Sequence, residues 1–189
     1  MKFKNIQNTE HKIDGRTVWE SRSVAVVGVI LIYRHLIPYV LISKRGPNSA
    51  DFQGKWNLIA GYLDWNETGY EALVRETWEE AGFDLDGHLK KCKNAKAKLL
   101  GNDLEQPWAV NTSPSINREN VSLRYGVSFQ IDPDEDFPIL TTEHNEVEGE
   151  CEEPMWLSLY DDENFKNYEW AFNHDQVIED YWNYLHEKK

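Results

Sequence analysis

The stretch Arg75-Glu76-Thr77-Trp78-Glu79-Glu80-Ala81-Gly82-Phe83 gathers three carboxylates within five positions. On a helix, Glu76, Glu79 and Glu80 stand at i, i+3 and i+4 and share one patch. Like charges so placed repel by about a few tenths of a kcal/mol per pair unless something positive lies between them. A hard divalent cation bound through oxygen suits such a patch. Mg²⁺ in particular takes one or two carboxylates together with substrate phosphates. Arg75, four residues before Glu79, can hold that carboxylate by a charge-assisted hydrogen bond. Taken alone, the helix leaves a second reading open, a solvated acidic face.

The surrounding residues specify the helix that must carry this patch. Thr68 followed by Glu71 forms a capping box, and Gly82 sits where a left-handed terminating residue belongs. Between them Tyr70, Leu73, Val74, Thr77 and Ala81 recur at helical spacing and predict the buried face.

Upstream spacing narrows the reading. Gly61, five residues, Glu67, seven residues and then Arg75 to Phe83 resemble the Nudix box, G-x5-E-x7-R-E-U-x-E-E-x-G-U with U bulky and apolar. Every fixed position matches; Thr77 at the first U is the soft departure. The resemblance implies an α/β fold, a Nudix-type α/β/α sandwich with a mixed β-sheet between helices. It also implies hydrolysis of a nucleoside diphosphate linked to another moiety, with Mg²⁺ or Mn²⁺ as cofactor. Carried over by position, Glu76, Glu79 and Glu80 are expected metal ligands together with the Ala60 carbonyl. Arg75 would orient Glu79, and Glu67 would tie the loop to the helix. Many relatives have Pro-Gly-Gly where this chain has Ile59-Ala60-Gly61, so Ala60 is expected in a backbone conformation that glycine reaches more easily.

Outside the box the signals thin. A general base is expected from the acidic run Glu143 to Pro154, with Glu146 or Glu143 as candidates, although for any single one of them a solvated loop is the favoured reading. Lys44 and Arg45, with Arg118 and Arg124 behind them, could grip substrate phosphate. Trp56, Trp65 and Trp108 could stack on a base, but core filling is the expected role of each. The span Leu41 to Gly61 has the spacing of a coenzyme A pyrophosphatase signature without its second arginine, since Ala50 stands there. Lys98 or Leu99 falls where many ADP-ribose enzymes have proline, so the substrate is left open. Two other roles within the same family, a non-cutting sensor and an isomerase, are disfavoured. The box glutamates are intact, and Cys92 lies in a lysine-rich run.

The remaining elements frame this site. Arg22 to Tyr33 and Tyr39 to Lys44 predict strands joined by a turn at Arg34 to Pro38. Further strands are predicted at Ala95 to Leu100, Val121 to Ile131 and Met155 to Leu159. A last helix is expected, capped by Asn173 with Gln176. One domain over residues 1–189 is expected, with 1–21 as an N-terminal extension. Its 40% hydrophobic residues and eight Trp argue against disorder. A net charge of -13 disfavours binding a nucleic-acid backbone, though not a small phosphorylated ligand. The N-terminus has no apolar signal region, and no segment has the roughly 20 apolar residues of a membrane span. With Cys92 and Cys151 too few for a disulfide framework, a reduced, cytoplasmic protein is expected, with a nucleotide diphosphate as its ligand and a homodimer left open.

Overall fold

The computed structural model describes residues 7–94, 98–114, 120–160 and 165–187. The chain runs β1 (Thr9–Ile13), β2 (Arg16–Glu20), β3 (Val24–Arg34), β4 (Ile37–Arg45), β5 (Trp56–Tyr62), α1 (Gly69–Ala81) and α2 (Leu85–Asn94). It continues through β6 (Lys98–Asp103), β7 (Ala109–Asn111), β8 (Val121–Gln130), β9 (Cys151–Ser158) and α3 (His174–Glu187).

β3 is the central strand because almost every residue in it can be buried. Val26, Ile30 and Ile32 face one side, while Val27, Val29 and Leu31 face the other, the period-2 alternation of a strand covered on both faces. The mixed sheet has the order β6-β8-β3-β5-β4-β9, with β7 also paired to β8. β3 and β8 are parallel, and the other pairings are antiparallel. One edge of β3 is divided: Ala25–Gly28 pair with β5, and Leu31–Arg34 pair with β4.

Helices cover both faces, as the sandwich requires. Leu73, Ala81, Phe83, Leu85 and Leu89 from α1, α2 and the link between them pack with Val26, Ile59, Val127 and Phe129. Val177, Ile178 and Tyr181 of α3 pack on the opposite face with Val27, Val29 and Leu58. Gly28 lets α1 come close, since a Cβ there would lie 2.3 Å from a Leu73 methyl.

Several expectations need correction. The turn after β3 is only His35–Leu36, at φ 51° and 66°, so Ile37 and Pro38 already belong to β4. Both residues are left-handed, as a two-residue I′ hairpin demands, although neither is a residue that favours it. β6 lies later than expected, at Lys98–Asp103; residues 95–97 of the expected strand fall outside the described residues. α2 was not foreseen. Asp84 caps it by accepting the Gly87 N–H at 2.8 Å, and Leu85, Leu89 and Cys92 form its buried side. In the expected N-terminal extension, Asp14–Gly15 turns a hairpin, β1–β2, whose residues are all exposed. At α3, Asn173 has φ 54°, and Gln176 donates forward to Asp180 Oδ1 at 3.0 Å, so the expected capping box does not form. Among the described residues, no helix is long and apolar enough to cross a membrane.

Candidate active site

The site is built where α1 lies against the end of β5. At its start, the Thr68 hydroxyl accepts the Glu71 N–H at 3.2 Å, while Glu71 Oε2 accepts the Thr68 N–H at 2.7 Å. At its end, Gly82 sits at φ 62° and donates to the Trp78 carbonyl at 2.9 Å. Both signals are local, and both hold. The buried side of α1 consists of Ala72, Leu73, Thr77, Glu80 and Ala81; Tyr70 and Val74 are only half-buried.

Arg75 organises the carboxylates. Its Nη1 donates to Glu76 Oε1 at 2.7 Å and to Glu79 Oε2 at 2.9 Å. Its Nε and Nη2 donate to the two oxygens of Glu67, at 3.1 and 2.8 Å, and Nη2 also reaches the Tyr62 carbonyl at 3.0 Å. Glu67 Oε1 in turn accepts the Asp64 N–H at 2.7 Å, which fixes the loop between β5 and α1. One guanidinium therefore joins strand, loop and helix. The Arg75 hydrogen bond holds Glu67 below the usual carboxylate range.

The three box glutamates shift the other way. Burial pushes Glu76 up to about 7, partly offset by Arg75. Burial also raises Glu79, and the Glu146 charge adds to it. Glu80 is raised well above its ordinary value, first by burial and then by the charge of Glu76. Its Oε2 lies 3.4 Å from the Ser43 hydroxyl. These are desolvated acids with too little positive charge near them.

Gly61 explains how close the helix comes. A Cβ at that position would lie 1.9 Å from Glu76 Oε1, so glycine is required by approach and not by its φ. Ala60 corrects an expectation: it stands in ordinary strand register opposite Val27, with no positive φ, so alanine is accommodated without strain.

Across from α1, the loop 131–150 completes a cleft of about 200 Å³. Asp64, Glu76, Glu79, Glu80, Glu146 and Glu150 line it, together with Arg75, Ala60, Gly61, Tyr62, Asn145 and Cys151. Among the described residues no three Asp, Glu, His or Cys side chains already form a closed metal cage; Arg75 Nη1 stands between Glu76 and Glu79. The donor set nonetheless fits a hard cation. Its carboxylates and the Ala60 carbonyl offer oxygen, and the carboxylates are underneutralised by the protein.

A second cavity of about 700 Å³ adjoins the cleft along Ala60, Gly61 and Tyr62. Phe52, Trp170 and Phe172 offer aromatic surface there, with Asn111, Asn120 and Ser113 among its polar groups. Among the described residues its lining includes Arg45, Lys55 and Arg124 and no carboxylate.

A model of the NUDIX domain family matches residues 22–181. The chain belongs to the NUDIX family. Its hydrolytic class follows, that of enzymes acting on phosphorus-containing anhydrides. Solved NUDIX structures share the fold at low identity. The NUDIX domain of Shewanella oneidensis NrtR, complexed with ADP ribose, superposes with a TM-score of 0.56 at 17% identity, covering 88% of this chain and 90% of that one. A NUDIX hydrolase from Nitrosomonas europaea gives 0.54 at 19%, covering 86% and 90%. A bifunctional NMN adenylyltransferase/ADP ribose pyrophosphatase from Francisella tularensis, complexed with AMP and an Mn ion, gives 0.61 at 18%. That match covers 87% of this chain and 42% of the longer protein. No curated protein matches.

Within this NUDIX chain the remaining expected residues separate. Glu146 lines the cleft, whereas Glu143 does not. Arg45 lines the second cavity, but it is engaged: Nε donates to the Asp51 carbonyl at 2.8 Å and Nη2 to Asp51 Oδ1 at 3.0 Å. Lys44 lines neither space, and its Nζ pairs with Glu153 at 3.0 Å. Arg124 lines the second cavity; Arg118 lies outside the described residues. Trp56 and Trp108 pack in the α3-side core as expected, but Trp65 is 92% exposed. Asp64, Asn145 and Glu150 were not singled out from the sequence. Glu150 lay within the noted acidic run, but nothing in that run distinguishes it from its neighbours.

Proposed function

We propose that this protein is a metal-dependent pyrophosphohydrolase that cleaves a nucleoside diphosphate linked to a further moiety. Glu76, Glu79, Glu80 and the Ala60 carbonyl would hold Mg²⁺ or Mn²⁺. Such ions, when bound, offset phosphate charge and lower the pKa of water. The observation that carries the reading is the set of three desolvated box glutamates facing one cleft, with Glu76 packed against Gly61.

The chain's own groups have distinct tasks. Arg75 keeps Glu79 and Glu76 aimed along one edge of α1 and anchors both to the β5 end through Glu67 and the Tyr62 carbonyl. Glu146, on the facing loop, is the proposed general base, accepting the proton of the attacking water. The second cavity takes the nucleoside or its linked moiety, with ring faces from Phe52, Trp170 and Phe172 and cationic groups from Arg45 and Arg124. The diphosphate would then lie across Ala60–Tyr62, where the cavities meet. The net charge of -13 supports a small-molecule ligand over a nucleic-acid backbone.

The test is incubation with a panel of nucleotide sugars, dinucleotides and nucleoside triphosphates, with and without Mg²⁺ or Mn²⁺, resolving the phosphate-bearing products. Cleavage of a diphosphate link only when a cation is added is expected. No product from any compound, together with no calorimetric uptake of either ion, would sink the proposal.

A further inference from the structure

Trp78 occupies the unconstrained position of the box, between Thr77 and Glu79, and remains 43% exposed on α1. Nothing in the cation chemistry asks for an aromatic ring there. Its indole stacks on His144, with ring centroids 4.1 Å apart and planes 17° from parallel. His144 belongs to the loop 131–150, which also carries Asn145, Glu146 and Glu150 to the cleft.

This loop has twenty residues without helix or strand, long enough that something must fix it. Its first half is held by the Tyr33 carbonyl, Arg34 and Trp156, and two anchor zones flank its site-bearing part. At the near end, the Thr141 N–H donates to the Ala81 carbonyl at 2.9 Å. At the far end, the Gly46 N–H donates to the Glu150 carbonyl at 2.7 Å, the Asn48 N–H to the Gly149 carbonyl at 3.0 Å, and the Ser49 hydroxyl to the Glu150 carbonyl at 2.6 Å. Between these zones run residues 142–147. Asn145 Nδ2 is tied to the Cys151 carbonyl at 2.8 Å, while Glu143, His144, Glu146 and Val147 are exposed. The Trp78–His144 stack sits in the middle of this span, two residues from Glu146.

We propose that Trp78 and His144 are positioning residues, a stacked latch between the helix of metal-binding glutamates and the loop bearing the general base. The latch fixes Glu146 opposite Glu79, so the two halves of the cleft keep their separation. The proposal rests on the reading of Glu146 given above, but the latch has a readout of its own.

The experiment compares Trp78→Ala, His144→Ala, His144→Phe and the double alanine variant by hydrogen-exchange mass spectrometry, with turnover and Mn²⁺ calorimetry on the same samples. Trp78→Ala and His144→Ala are each expected to speed amide exchange at 142–147 by about three- to tenfold, the worth of one aromatic stack, while 148–150 and α1 keep wild-type protection. kcat falls by a similar factor with KM little changed, as expected when only the base is misplaced. His144→Phe, which keeps the stack without a ring nitrogen, stays within about twofold of wild type in both measures. The double variant is no worse than either single one, the mark of a pair acting as a unit. Unchanged exchange at 142–147 in Trp78→Ala would overturn the latch. So would loss of Mn²⁺ uptake and thermal stability in that variant, because Trp78 would then be holding the helix. If wild type cuts no diphosphate at all, the proposed reaction fails while the exchange measurement still decides the latch.

Discussion

His174, at the start of α3, offers a quantitative test of how tightly the second cavity's wall is sealed. Its side chain is 4% exposed, and its Nδ1 accepts the Leu58 N–H at 3.0 Å. Burial, with the nearby Arg124 and Arg45 charges, lowers its pKa from 6.5 to about 3. The folded protein therefore refuses a proton that the unfolded chain accepts below the ordinary histidine value. Stability must fall as pH drops from about 6.5 towards 3. At pH about 5.5, one unit below that ordinary value, the loss is about 1.4 kcal/mol relative to pH about 7.5. In a domain of this size it corresponds to roughly 3 to 6 °C in Tm. The buried glutamates shift in the opposite sense, so raw pH dependence sums conflicting effects. His174→Asn isolates the histidine, because its Oδ1 can still accept from Leu58 but does not titrate. Calorimetric unfolding of both proteins at the two pH values, above the isoelectric point of about 4.9, gives a double difference. The Tm of wild type minus that of His174→Asn is expected to shrink by those few degrees on acidification. A difference that does not change with pH would refute the buried, neutral imidazole.

Three further outcomes follow from the site. Glu79→Gln removes a ligand charge at constant shape and should lower turnover by about two orders of magnitude or more at near-normal Tm; a near-wild-type rate with an ordinary cation requirement refutes that role. Gly61→Ala puts a methyl group where Glu76 Oε1 now lies, 1.9 Å from the added Cβ, and should weaken calorimetric Mn²⁺ uptake by at least about tenfold. Unchanged uptake would show that Glu76 does not need this close approach. Arg75→Lys keeps a charge but loses the fork that joins Glu67, Glu76, Glu79 and the Tyr62 carbonyl. Turnover should fall by roughly 10- to 100-fold, and a lysine variant of wild-type rate would contradict the organising role of the guanidinium.

The parts of the site that the sequence discloses are those encoded within a few residues. The Thr68–Glu71 box and Gly82 bracket α1, and 3.6-residue spacing puts three glutamates on one edge. β3 is legible because a doubly buried strand must be a continuous apolar run. The turn after β3 is legible within Arg34–Pro38, but its tightness is not, since neither His35 nor Leu36 advertises a positive φ and hairpin pairing imposes it. α2 could have been read from Asp84 and from the Leu85, Leu89 and Cys92 spacing; a lysine-rich, short segment masked that pattern. The second cavity is illegible for a different reason. Arg45, Phe52, Asn120 and Phe172 meet only after the sheet has formed, and no local rule links them. Gly61 shows the same limit from the other side: its place in the pattern is visible, but the carboxylate it makes room for is not.

The acidic cleft and the larger cavity share Ala60, Gly61 and Tyr62 among the described residues, yet different parts of the chain furnish their other walls. Residues 64–80 and 145–151 enclose the first; Ser113, Pro114, Asn120 and the approach to α3 contribute to the second. On the reading proposed above, exchanging those outer segments would change which substrate is accepted while the glutamate-bearing helix is left untouched. By the same logic, an inhibitor confined to the larger chamber could distinguish this protein from relatives with the same glutamates, whereas one that merely chelates in the cleft could not.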